Sequence, residues 1–147
     1  MNIEKVFMKK LILFFAALFL LTSCSFDEDN PQFHVAFVPV VGVEMPEYFV
    51  HGENYEIKVK YQRPTDCYFY DGFHYEEKNN ALVIAVQTLV IEDSNCASLD
   101  GVEPEEASFT FACSPTYGGS SYLFKFYTGK NEDGTNSYME VEVPIAQ

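Results

Sequence analysis

Beyond residue 32 the chain alternates. Tyr55, Ile57, Val59 and Tyr61 are apolar while Glu56, Lys58, Lys60 and Gln62 are polar, the period-two pattern of a strand with one face on a core and one in water. Met139, Val141, Val143 and Ile145 alternate in the same way with Tyr138, Glu140 and Glu142. So do Phe109, Phe111 and Cys113 with Ser108, Thr110 and Ala112, and Tyr122, Phe124, Phe126 and Thr128 form a further run. Phe33, Val35, Phe37, Val41 and Val43 share one parity across Pro39, an interruption that an edge strand tolerates. Met45–Val50 continues that run to a turn at His51-Gly52-Glu53, and Cys67 to Glu77 gives the next strand. Ala81 to Ile91 is different. It is apolar on both parities and rich in β-branched residues, which favours a central strand over a helix.

The punctuation fits. Lys78-Asn79-Asn80 reads as a tight hairpin turn because asparagine tolerates positive φ, and Lys130 to Thr135 and Tyr117-Gly118-Gly119 read as further turns. Glu92 to Glu106 reads as a loop, with Glu105 and Glu106 after Pro104 starting one helical turn. Asp71 shares the parity of Cys67, Phe69, Phe73 and Tyr75, so a regular strand would bury its carboxylate. The adjacent Gly72 predicts a bulge that turns it out. About seven strands without an amphipathic helix predict an all-β fold, a single antiparallel β-sandwich over residues 33–147. In size and strand count it resembles immunoglobulin-like domains, although the tryptophan and paired-cysteine spacing of antibody domains is absent.

The N-terminus follows another rule. Lys9 and Lys10 precede an unbroken apolar run, Leu11 to Leu21, which as a helix spans only about half of a roughly 30 Å hydrocarbon core. It reads as the apolar region of an export signal over residues 1–23. Leu21-Thr22-Ser23-Cys24 resembles the lipobox of bacterial lipoproteins, and that resemblance implies that Cys24 becomes the mature N-terminus and carries diacylglyceryl and palmitate-type acyl chains. Residues 24–32 form a short acidic, proline-punctuated tether. Its Asp27, Glu28 and Asp29 resemble the surface-export signal of Bacteroidota lipoproteins, which implies an outer-membrane protein displayed at the cell surface.

Charge narrows the partners. The chain carries a formal −13, and because the first 23 residues hold Lys5, Lys9 and Lys10 against Glu4, the remainder stands at −15. Such a surface repels nucleic acid and anionic headgroups. Aromatics at 16%, all Phe and Tyr, separate the chain from acidic disordered segments, so it has a core to bury. With Cys24 given to lipid, an oxidising compartment leaves three cysteines for one disulfide. Folding the strands about Asn79-Asn80 returns Cys67 and Cys96 to one end, predicting that pair with Cys113 as a buried thiol. Cys96–Cys113 is the competing bridge.

No nucleophile elbow, zinc-protease or phosphate-loop motif occurs, and His34, His51 and His74 are scattered without metal-ligand spacing. Asn131-Glu132-Asp133-Gly134 has the residue types of a calcium loop without its spacing, and reads as a solvated turn. The expectation is therefore a non-enzymatic lipoprotein without cofactor or metal, its sandwich serving binding or structure. Tyr48, Tyr68, Tyr70 and Tyr117 are candidate ligand-facing aromatics. The alternatives are a glycan-binding accessory protein of a surface uptake system, which the lack of tryptophan weakens, and a small hydrolase.

Overall fold

The computed structural model describes residues 32–92 and 95–146. The apolar leader, Cys24 and the acidic residues Asp27, Glu28 and Asp29 lie outside the described residues. Eight strands follow in order: β1 (Phe33–Val38), β2 (Val40–Glu44), β3 (Asn54–Tyr61), β4 (Tyr68–Lys78), β5 (Ala81–Ile91), β6 (Glu105–Ala112), β7 (Ser121–Lys130) and β8 (Asn136–Pro144). They form a β-sandwich of two sheets, one of β4, β5, β1, β7 and β8 and the other of β2, β3 and β6.

The central strand is β5, as its two-sided apolar pattern predicts. Strand β4 lines one edge for its whole length, from Lys78 opposite Ala81 to Tyr68 opposite Val90. The other edge is divided. Strand β7 runs parallel along Ala81–Ile84, and β1 runs antiparallel along Val86–Ile91. That short parallel ladder is a departure from a wholly antiparallel sandwich; the other ladders are antiparallel. Pro39 lies where the chain leaves β1 in the larger sheet and enters β2 in the smaller one.

Pairing decides which side chains face inward, and here the sequence pattern misleads at β1. Phe33, Val35 and Phe37 lie opposite Ile91, Leu89 and Gln87 on the outer side, whereas Val38, opposite Val86, is fully buried. The alternation is present with its polarity reversed, because β5 offers apolar side chains on both faces. Strand β2 ends at Glu44, so Met45–Val50 is not a continuation of it. Phe49 there makes an isolated parallel bridge to Ile145 and drops its ring into the core. Glu105 and Glu106 begin β6 rather than a helical turn, paired with Tyr61 and Lys60.

The bulge at Asp71 is real. The register of β4 slips between Tyr70 and Gly72, Gly72 takes φ 126°, and the exposed Asp71 carboxylate accepts a 2.8 Å hydrogen bond from Gln87 Nε2. The slip changes parity, so Tyr68 and Tyr70 face inward before it and Phe73 and Tyr75 after it, leaving Phe69 outside. Asn79 and Asn80 take φ 51° and 58°, the left-handed pair that a two-residue hairpin requires.

The core between the sheets gathers Val38, Val40, Phe49, Ile57, Val59, Ile84, Val86, Phe124 and Phe126. Phe49 touches Tyr55, Phe111, Tyr122 and Phe124 with centroids 4.8–5.9 Å apart, so one residue from an irregular segment joins both sheets. Thr88 is a fully buried polar residue, and its hydroxyl donates to the Ala36 carbonyl at 2.9 Å.

Cys67 and Cys96 are disulfide-bonded, with Cα atoms 5.5 Å apart, and Cys113 is buried and free. The bridge is reinforced by backbone hydrogen bonds from Asp66 N–H to Ala97 O and from Leu99 N–H to Pro64 O. It closes a loop of 29 residues, for which the chain-entropy relation gives about 3–4 kcal/mol. Replacing both Cys67 and Cys96 by alanine is expected to lower unfolding free energy in denaturant by about that amount. In the native protein Cys113 is expected to resist alkylation until the chain unfolds, whereas rapid labelling would contradict its burial.

Candidate functional site

The two outer faces of the sandwich differ in chemistry. On the three-stranded sheet the outward residues are Glu44, Glu56, Lys58, Lys60, Glu106, Ser108 and Thr110. Lys58 Nζ lies between Glu44 and Glu106 on the flanking strands, Lys60 Nζ is 3.4 Å from Glu44, and Ser108 Oγ donates to Glu56. That face is a solvated charge lattice.

The five-stranded sheet is the opposite. Its outer side carries Phe69 from β4, Leu89 and Ile91 from β5, and Phe33, Val35 and Phe37 from β1. Phe33, Val35 and Phe69 are 65%, 54% and 48% exposed, more than an incidental apolar residue on a polar surface requires explaining singly, because they are contiguous. Phe33, Phe69, Leu89 and Ile91 enclose a shallow hollow of about 220 Å³, and all four of these walls are apolar. The stripe continues through Phe37, whose ring lies 5.2 Å from His74 and 6.1 Å from Tyr127, to Tyr138 on β8. Carboxylates border it: Asp71 on Gln87, Glu76 opposite Val83, and Glu140 on Lys125.

A second group lies where β4 and β6 face each other at the open side of the sandwich. Tyr61, Tyr70, Phe73, Tyr75 and Phe109 form a continuous aromatic seam. Its head is a polar knot. Arg63 binds Glu105 through Nε at 2.7 Å and through Nη2, and donates from Nη1 to the Tyr68 carbonyl, while Tyr61 donates its hydroxyl to Glu105 at 3.0 Å. One carboxylate thus ties the end of β3 and the loop after it to the start of β6, and Arg63 carries the link across to β4. Burial, then the Glu105 carboxylate, pushes the Tyr61 phenol up to about 12, and burial also raises Tyr70 and Tyr75.

The sequence-predicted aromatics do not converge. Tyr68 and Tyr70 lie near Val90 and Thr88 toward one end of β5, whereas Tyr117 lines a cleft with Ala81 and Leu82 at the other. Tyr48 is exposed on the connection between β2 and β3. Tyr68 packs on the core and Tyr70 stacks on Tyr61. Within the seam, Phe109 meets Phe73 at 64° and Tyr75 at 74°, edge to face, whereas Tyr61 and Tyr70 stack at 26° and Phe73 and Tyr75 tilt at 39°, so the five rings share no single plane. The cleft beside Tyr117, about 540 Å³, also takes in Glu77, Asn80, Phe111 and Tyr122. Tyr117 is a wedge there. Its ring stacks on Tyr122 at 4.0 Å, its hydroxyl donates to the Ser121 carbonyl, and a Cβ added at Gly119 would lie 2.5 Å from the ring, so neither ring face is free.

The remaining candidates have local roles. His34 faces Glu92, His51 Nδ1 lies 2.9 Å from the Ser114 carbonyl, and His74 rests on Phe37. Asp133 accepts two hydrogen bonds from Thr135, which hold its carboxyl below the usual range and close the turn at 131–135. Among the described residues, Asp66, Cys67 and Cys96 bring ligand-type atoms within 4.8 Å of one another, and both sulfurs are already joined. Comparisons with protein families, curated proteins and solved structures found no match.

Two measurements check this geometry. Because the fold holds the Tyr61 proton more tightly than the unfolded chain does, the associated stability is intact below pH 10 and is lost as pH rises from 10 towards about 12. Phenolate absorbance should show a late phase that Tyr61→Phe diminishes and that Glu105→Gln shifts to lower pH, since both the hydrogen bond to Glu105 and its charge raise the Tyr61 phenol. A late phase unchanged in both variants would contradict the assignment. Separately, Gly119→Ala should cost about 1–3 kcal/mol by displacing Tyr117, whereas Gly118→Ala, with nothing near its added methyl, should cost less than about 1 kcal/mol. Equal thermal shifts would show that Tyr117 is not wedged.

Proposed function

We propose that this chain is a lipid-anchored surface lipoprotein whose sandwich is a non-catalytic protein-binding module, and that it docks its partner on the outer face of the five-stranded sheet. The anchoring half rests on the lipobox and acidic tether of the sequence. The binding half rests on one observation, the contrast between the two outer faces. The same domain spreads Lys and Glu over one sheet and leaves Phe33, Val35, Phe37, Phe69, Leu89 and Ile91 contiguous on the other. A sheet face left in water takes polar residues, and a contiguous apolar one marks a surface that is covered in use.

The carboxylates at its border, Asp71, Glu76 and Glu140, together with the net charge of −13, define the partner chemistry: a protein surface apolar at its centre and basic at its rim. Phe33, the first residue of the stripe, is nine residues beyond Cys24, a reach of at most about 30 Å when extended.

Two experiments test the halves separately. Cys24→Ala should release the protein from the membrane fraction; sedimentation with membranes in high salt would remove the anchor. A photo-crosslinking residue placed at Val35 in cells should give a discrete protein adduct that Phe33→Asp abolishes, while the same residue at Lys60 gives none. Equal crosslinking from the two faces would remove the docking assignment.

A further inference from the structure

Every sheet of an open sandwich ends in edge strands, and an edge carries a row of backbone donors and acceptors that another strand can pair with. Most edges of this domain are blunted. Strand β4 is bulged at Asp71 and Gly72. Strand β2 starts after Pro39 and is bulged between Val40 and Gly42. Strand β8 places Glu140 and Glu142 along its length, so a second copy would bring like charges together.

Strand β6 has none of these devices. It pairs with β3 through eight consecutive residues without a register shift, contains no proline, and confines its charge to Glu105 and Glu106 at its start. Beyond it, the N–H and C=O of Cys113 both bond to the 52–53 segment, on the β3 side. Alternation along the strand then turns the backbone groups of Glu106, Ser108, Thr110 and Ala112 toward the open side. Among the described residues no strand pairs with that side.

We infer that β6 is a self-association edge, and that its occupant is β6 of a second copy, paired antiparallel about a two-fold axis at Phe109. The side-chain arithmetic favours this occupant. In that register the outer face sets Glu106 opposite Ala112 of the other copy and Ser108 opposite Thr110. The inner face sets Ala107 opposite Phe111 and Phe109 opposite itself. No like charges stand directly opposed, and two small hydroxyl residues meet where cross-strand hydrogen bonding is favourable. The contact is isologous, so it closes at two copies and does not propagate into a fibre. It joins the two three-stranded sheets into one of six, and it brings the exposed Tyr70 and Tyr75 of one aromatic seam toward those of the other. The acidic surface opposes the approach over longer range, so the dimer strengthens as salt rises.

The test is sedimentation equilibrium of the full chain in density-matched detergent micelles. The wild type should be dimeric, with tighter association at higher salt. Thr110→Pro removes an outward N–H that the β3 ladder does not use, and the dimer loses two donors, so its dissociation constant should rise about tenfold or more. Ser108→Lys with Thr110→Lys sets lysines opposite lysines across the axis and should abolish the dimer. Melting by circular dichroism should show both variants folded. If Thr110→Pro fails to fold, the double-lysine variant decides. A monomeric wild type at all concentrations and salts, or a dimer that persists in the folded double-lysine variant, overturns the proposal.

Discussion

The strand that everything else answers to is β5, and the constraint it imposes is that one of its edges is shared. Strand β7 occupies the edge along Ala81–Ile84 and β1 along Val86–Ile91, so neither can run the full length. The chain must therefore leave the larger sheet at Pro39, where a missing N–H and a fixed φ make departure cheap. Strand β2 crosses to the smaller sheet as a consequence, and Val38 and Val40, the residues on either side of the proline, plug the core at the crossing. Antiparallel pairing of β1 on this edge also fixes the outward direction of Phe33, Val35 and Phe37. The apolar face is thus a product of the same constraint that builds the fold.

Fixed points at the two ends of β5 keep that arrangement. At one end the Cys67–Cys96 bridge and the knot of Arg63, Glu105 and Tyr61 hold the loop after β5 to the strands of both sheets. At the other, Phe49, Phe111, Tyr122 and Phe124 interlock, with Tyr117 wedged against Tyr122 by Gly119. Neither end needs a helix. A sandwich of this size has a small core and little stability to spare, so the bridge and the wedge are each expected to carry a measurable share.

What the sequence told of this fold, it told locally. The alternation of β3 and β8, the two-sided pattern of β5, the Asn79-Asn80 turn, the bulge at Asp71 and the Cys67–Cys96 pairing all rest on neighbours in sequence or on one hairpin. What it withheld depends on distant pairing. The parallel contact of β5 with β7 leaves no trace in either strand's own pattern. Alternation at β1 identifies a strand without saying which parity is inside, and it took the register on β5 to show that its phenylalanines face out. Glu105 and Glu106 after Pro104 have the composition of a helix start, and the partners that draw Glu105 into a strand, Tyr61 and Arg63, lie more than forty residues away. One signal for the apolar face was present: a strand apolar on both parities implies two covered faces, and no amphipathic helix was available to cover the second.

The claim on which the functional account depends is that this second face is covered in the cell. Hydroxyl-radical footprinting, which modifies exposed aromatic rings in proportion to their accessibility, reads that coverage directly when intact cells are compared with the purified chain. The account predicts that Phe33, Phe37 and Phe69 lose reactivity on cells while Tyr48, away from the stripe, reacts equally in both. Equal reactivity of Phe33 and Phe69 in the two samples would mean that the face stands bare, and would contradict its role as a docking surface.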